Sequence, residues 1–206
     1  LNEKHMRKHR DQLCNEEGCS EIWFDEDVQL AHYKLPANCK FIGQTLLQTK
    51  FRSNYGCNIL QITTPQAVID MPGADYILEA ASTLLIIGTR EQFKMFNTAV
   101  ASKQIDLEPL AEPISLRQFM LQSHEEKPEL QFLSLAITVD EHSKLLGKSI
   151  KDANIRENWS ALVLGLERGA YTITNPNISL TFEKGDLLWV LGKQKMLNAL
   201  IREEVL

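Results

Sequence analysis

Apolar positions fall in short runs separated by turn residues, and the second half of the chain shows the order most plainly. Leu133–Val139 ends in Ile137, Thr138 and Val139 and predicts a strand, which Asp140-Glu141-His142-Ser143 breaks. Gly147 permits a tight turn. Ser149 has Asp152 three residues on, the spacing of a capping box, and predicts a short helix to about Arg156. Further strands are predicted at Trp159–Leu166, Tyr171–Thr174, Ile178–Phe182 and Leu187–Leu191. Turns fall at Arg168-Gly169, Asn175-Pro176-Asn177 and Glu183-Lys184-Gly185-Asp186. Gln194–Leu206 carries Met196, Leu197, Leu200 and Ile201 on one stripe and predicts a closing helix. The order β-α-β-β-β-β-α over so short a span predicts an α+β domain with a small, largely antiparallel sheet and flanking helices.

The first half repeats this pattern. Laying residue n on residue n+104 puts Lys40 on Lys144, Gly43 on Gly147, Arg52 on Arg156, Asn54 on Asn158 and Leu60 on Leu164. It also puts Ile69 on Ile173, Pro72 on Pro176, Glu79 on Glu183, Leu84 on Leu188 and Gly88 on Gly192, with Tyr55 facing Trp159. No gap is needed, and the apolar runs Leu84–Ile87 and Leu188–Leu191 stay in step. A repeat of this size is two copies of a small domain, not a solenoid. The chain therefore divides into a partly helical connector (1–27), a first copy (28–102), a linker with a short helix (103–131) and a second copy (132–206). In the linker, Ile105–Pro113 is proline-marked, and Ser115 with Gln118 can cap a helix through Gln122. Glu125–Glu129 reads as an exposed turn. Small sheets with an exposed apolar face seek cover, so self-association is expected. Either unlike copies pair within one chain or like copies pair between chains as a homodimer, the arrangement favoured here.

Composition narrows the function more than it defines it. With 44% hydrophobic and 24% charged residues the chain is globular, and a net charge of -5 disfavours a general grip on nucleic acid. No stretch approaches the 18 apolar residues of a membrane span, and no signal peptide is evident. The chain opens on Leu1, which reads as a piece of a longer protein whose remainder holds a catalytic or transporting part. Lys4, Arg7, Lys8 and Arg10 suit a solvated helical lead-in or a segment beneath an anionic membrane. Glycine-rich phosphate loops, zinc-protease helices and nucleophile elbows are missing from the sequence. His5 and His9 with Cys14 and Cys19 lack a standard zinc spacing, and Cys39 and Cys57 read as structural thiols. A small enzyme would have to use His32, His124 or His142, each isolated in the sequence.

The stretches Leu146–Ile150, Asn154–Arg156, Leu162–Gly169 and Leu180–Gly192 together resemble the C-terminal RCK domain, also called TrkA-C. The first copy resembles it through Ile42–Leu46, Phe51-Arg52, Gly56–Leu60 and the strand ending at Gly88. The resemblance implies a non-enzymatic regulatory module on the cytoplasmic side of the plasma membrane. It would serve a potassium channel, a potassium uptake system or a cation/proton antiporter, with no nucleotide cofactor of the Rossmann kind. A purely structural assembly domain is the other reading. Some members of the family bind cyclic di-AMP between paired copies. That pattern sets an arginine after the first helix and an asparagine on the next strand. Arg52 and Asn58, followed by Ile59 and Leu60, fit it in the first copy; Arg156 fits in the second, where Leu162 replaces the asparagine. The resemblance thus implies an anionic nucleotide on the first copy, while Arg52 and Arg156 also suit helix-end residues meeting the helix dipole.

Overall fold

The computed structural model describes residues 27–123 and 132–205. The first copy opens with β1 (Val28–Lys34), then two short helices, α1 (Leu46–Thr49) and α2 (Phe51–Tyr55). Strands β2 (Asn58–Thr63), β3 (Val68–Asp70) and β4 (Thr83–Thr89) follow, and α3 (Arg90–Ala101) closes the unit. The connecting segment holds β5 (Glu108–Pro109), β6 (Ile114–Ser115) and α4 (Leu116–Ser123). The second copy runs β7 (Phe132–Thr138), α5 (Ile150–Ala153), α6 (Ile155–Trp159), β8 (Ala161–Arg168), β9 (Tyr171–Thr174), β10 (Leu187–Lys193) and α7 (Gln194–Val205).

Every strand pair is antiparallel, in a six-stranded sheet of order β3-β2-β4-β1-β5, with β6 also on β1, and a four-stranded sheet of order β7-β10-β8-β9. The repeat reaches the level of single bonds. Val28 opposes Thr89 as Phe132 opposes Lys193. Gly43 N–H donates to Leu78 O, and Gly147 N–H to Phe182 O. A β-bulge interrupts β2/β4 at Leu60 and β8/β10 at Leu164. Each bulge carbonyl accepts from the residue at the next turn, Met71 or Asn175, both held at positive φ.

Three expectations need correcting. Ile178–Phe182 is no strand: only the Ser149–Thr181 bridge forms there, while Leu180 and Ile178 give their carbonyls to α5. The single helix after Ser149 is two, because Asn154 turns left-handed (φ 51°) between them, and Trp159 ends α6 instead of starting a strand. The proline-marked linker is partly strand, since Pro109 lies on an edge where its missing N–H costs no ladder bond, and Ile114 pairs with Leu30 just beyond Pro113. The predicted N-terminal helix and the 125–129 turn lie outside the described residues.

Alternation within each strand builds three cores. One face of the first sheet covers α3 with Tyr33, Ile62, Ile86, Phe93 and Phe96. One face of the second covers α7 with Leu166, Leu188, Val190, Leu197 and Leu200. The opposite faces meet each other: Leu30, Leu60, Leu85 and Ile87 pack with Leu162, Leu164, Trp189 and Leu191 in one cluster. A face expected to pair between chains is thus covered within one chain. Burying each such side chain stabilises by about 1.5–3 kcal/mol.

Candidate ligand cleft between the two copies

The two sheets meet on the faces that carry the bulge residues of β2 and β8, Leu60 and Leu164, both in the shared cluster. Arg156, in the last turn of α6, crosses to the first copy. Its Nε donates to Pro72 O (3.1 Å) and its Nη2 to Ile59 O (2.6 Å). Burial first, and then repulsion from Arg52, push its pKa down to about 10, against attraction from Glu157. The Arg52 side chain is exposed and makes no hydrogen bond or ion pair among the described residues. Two cations therefore lie close together, and only one of them is tied down.

Asn58 is 7% exposed and lines a cavity of about 20 Å³ with Thr89, Gln92, Leu162, Thr174 and Asn175. Its side chain has no hydrogen-bond partner among the described residues. That space suits one water and is far too small for a dinucleotide. Leu60 points into the shared core, whereas Ile59 points into the first copy's own core and offers the cleft only its carbonyl. The five residues singled out in sequence are thus neighbours, but Arg156 serves as a strap between copies.

Sequence reasoning missed the other cross-copy ties. Asn175 Nδ2 donates to Gly56 O (2.8 Å), and Lys193 Nζ pairs with Asp70 Oδ2 (2.7 Å) over the ring of Phe132. Asn175 was visible only as part of a turn. A second cavity, of about 480 Å³, opens beside β1 between Leu30, His32, Gln61, Glu112, Phe132 and Lys193. The His32 imidazole makes no hydrogen bond among the described residues, and burial lowers its pKa. His142 is exposed, with Glu141 3.9 Å away. No group of three metal-ligating side chains occurs among the described residues. Cys39 and Cys57 are free and buried, and burial raises the thiol of Cys57 to about 12. His5, His9, His124, Cys14 and Cys19 lie outside the described residues. No helix among those residues is long and apolar enough to cross a membrane.

Comparison with known proteins matches two segments, 30–100 and 135–204, to the TrkA-C domain. An uncharacterized transporter of Synechocystis sp. is 25% identical over 162 residues, covering 78% of this chain and 25% of that one. Ktr system potassium uptake protein A of Vibrio alginolyticus is 28% identical over 134 residues, covering 65% and 49%. The chain thus spans half or less of the length of these relatives. Among solved structures, the RCK C domain of potassium transport protein KtrA in complex with cyclic di-AMP is 24% identical, with a TM-score of 0.35, over 42% of this chain and 92% of that one. The GsuK channel bound to NAD is 12% identical, with a TM-score of 0.34, over 84% and 52%. The repeat seen in spacing and in bonding is therefore a family domain used twice, and the chain belongs to the TrkA-C family with two copies in tandem.

Proposed function

We propose that the chain is a regulatory module of a membrane potassium or sodium transporter, cation/proton antiporters included, and that it works at the cytoplasmic face of the plasma membrane. The observation that carries this reading is the pairing of two TrkA-C copies through a shared core, with a cationic cleft at their junction. Names of relatives support it, one being a transporter and another a potassium uptake protein. No catalytic role is assigned to any residue. A homodimer of chains remains part of this reading, on a surface other than the shared face. Light scattering at micromolar concentration separates 23.5 kDa from twice that mass.

The ligand of the cleft is an anionic nucleotide, with cyclic di-AMP as the probe. Arg52 supplies a free cationic fork for phosphate, and Asn58 a donor and acceptor for a purine edge. Entry requires the sheets to part beside Asn58, where the cavity is now about 20 Å³. Calorimetric titration with cyclic di-AMP tests this: binding below about 100 μM that R52A weakens at least tenfold supports it, and silence up to that concentration removes the ligand. A second reading, assembly without ligand, draws on the same closed cavity and on Arg156 being already bonded. Cation flux through the transporter with and without the module tests the regulatory role itself.

A further inference from the structure

The linker covers the outer edge of the first copy's sheet. There, the segment after α3 turns back along the outer edge of β1. Leu110 N–H donates to His32 O (2.9 Å), Glu108 and Pro109 face Lys34 and Tyr33, and Ile114 faces Leu30. Ile105 and Leu107, 2% and 3% exposed, join the cluster that buries Ala31 and Tyr33. Lys40 Nζ holds the start of the segment through Gln104 O (2.6 Å). In the second copy, β7 is the end strand of its sheet and pairs among the described residues only with β10. Leu135 and Ile137, the counterparts of Ala31 and Tyr33, are only half-buried, as is Leu133. The counterpart of Lys40 is Lys144, which is exposed and has no bonding partner among the described residues. β7 also carries no charge and no proline, the devices that normally blunt an open edge.

We infer that the outer edge of β7 is a docking edge for an extended segment of the transporter polypeptide, which adds to the sheet as a strand. The segment runs antiparallel to β7. It adds two apolar side chains, two residues apart, to the cluster against which Leu135 and Ile137 pack, and gives a backbone carbonyl to Lys144. The chain's own linker on β1 is the template, and strand addition of this kind draws affinity from main-chain bonds and specificity from alternate side chains. The identity of the donor rests on the transporter reading above; the edge itself does not.

Two measurements test it. Because the 104-residue offset matches Ser102 with Leu206, a second copy of residues 103–116 appended after Leu206 is designed to fall on β7 as the linker falls on β1. The graft is expected to slow hydrogen exchange of the β7 amides at least tenfold. Aspartate at the grafted positions copied from Ile105 and Leu107 should abolish that protection, and K144A should reduce it. Exchange at β10 monitors the integrity of the sheet in every variant. A graft that leaves β7 exchange unchanged overturns the docking edge, whatever the flux and titration experiments give. In the complete transporter, β7 should exchange more slowly than in the isolated chain. Equal rates there, with a protecting graft, overturn the transporter as donor.

Discussion

Asp186 is 0% exposed, and its two oxygens accept from Arg168 Nε and Nη2 (2.8 Å each) and from Glu183 N–H (2.8 Å). The counterpart of Asp186 is Ser82, also 0% exposed, whose hydroxyl has no partner among the described residues. The same place in the fold is thus filled once by a satisfied charge and once by an unsatisfied hydroxyl. Removing one partner of a buried pair costs about 3–5 kcal/mol, whereas deleting a hydroxyl that bonds to nothing costs little. Urea denaturation is expected to show Arg168→Ala, which leaves the buried Asp186 carboxylate without its cation, destabilised by about that amount and Ser82→Ala unchanged or slightly stabilised. At the two buried cysteines, burial raises both thiols, Cys57 to about 12, so little thiolate forms at pH 8. Alkylation at pH 8 followed by peptide mass mapping should leave Cys39 and Cys57 unmodified in the native chain and modify both after denaturation.

Between α2 and β2 the chain reverses through Gly56 (φ 71°), and between α6 and β8 through Ser160 (φ 45°). A side chain in this left-handed region is strained by about 1–2 kcal/mol. Ser160→Gly should therefore raise stability by about 1 kcal/mol by thermal denaturation. Gly56→Ala should lower it by about 2 kcal/mol, since its Cβ would also run into Gln92, which caps α3 through Thr89 N–H. Gly147 made the turn before the second copy's helices legible in sequence, and its closing helix was legible from an apolar stripe. Asn154 and Ser160 hid the break and the end of the second copy's helix pair, because neither type demands positive φ. The pairing of 108–115 with β1 was hidden by Pro109 and Pro113, which read as linker punctuation. At the cleft, a family pattern pointed to Arg52, Asn58 and Arg156. The bonds from Arg156 to Ile59 O and Pro72 O span 97 and 84 residues, beyond the reach of any local spacing.

At the scale of the whole molecule, Leu60 and Leu85 of the first copy share one core with Leu164 and Trp189 of the second, and the Lys193–Asp70 and Arg156 ties reinforce it. Calorimetry is expected to give a single endotherm with agreeing calorimetric and van't Hoff enthalpies, and two resolved endotherms would contradict a shared core. Trp189→Ala should cost about 3–5 kcal/mol and lower the melting of both copies together, even though Trp189 belongs to the second. Alternation told which faces were apolar, but not whether a face would meet its own chain or another; of the two arrangements expected, the pairing of unlike copies within one chain is the one this chain shows on its shared face. Joining the copies also frees the two walls of the cleft from each other. In a symmetric pair of identical subunits every substitution appears on both sides of the axis. Here Asn58 stands on one wall and its counterpart Leu162 on the other, both lining one small cavity. A molecule lying between them meets a polar end and an oily end, so even a two-fold symmetric ligand would have its two halves held unequally.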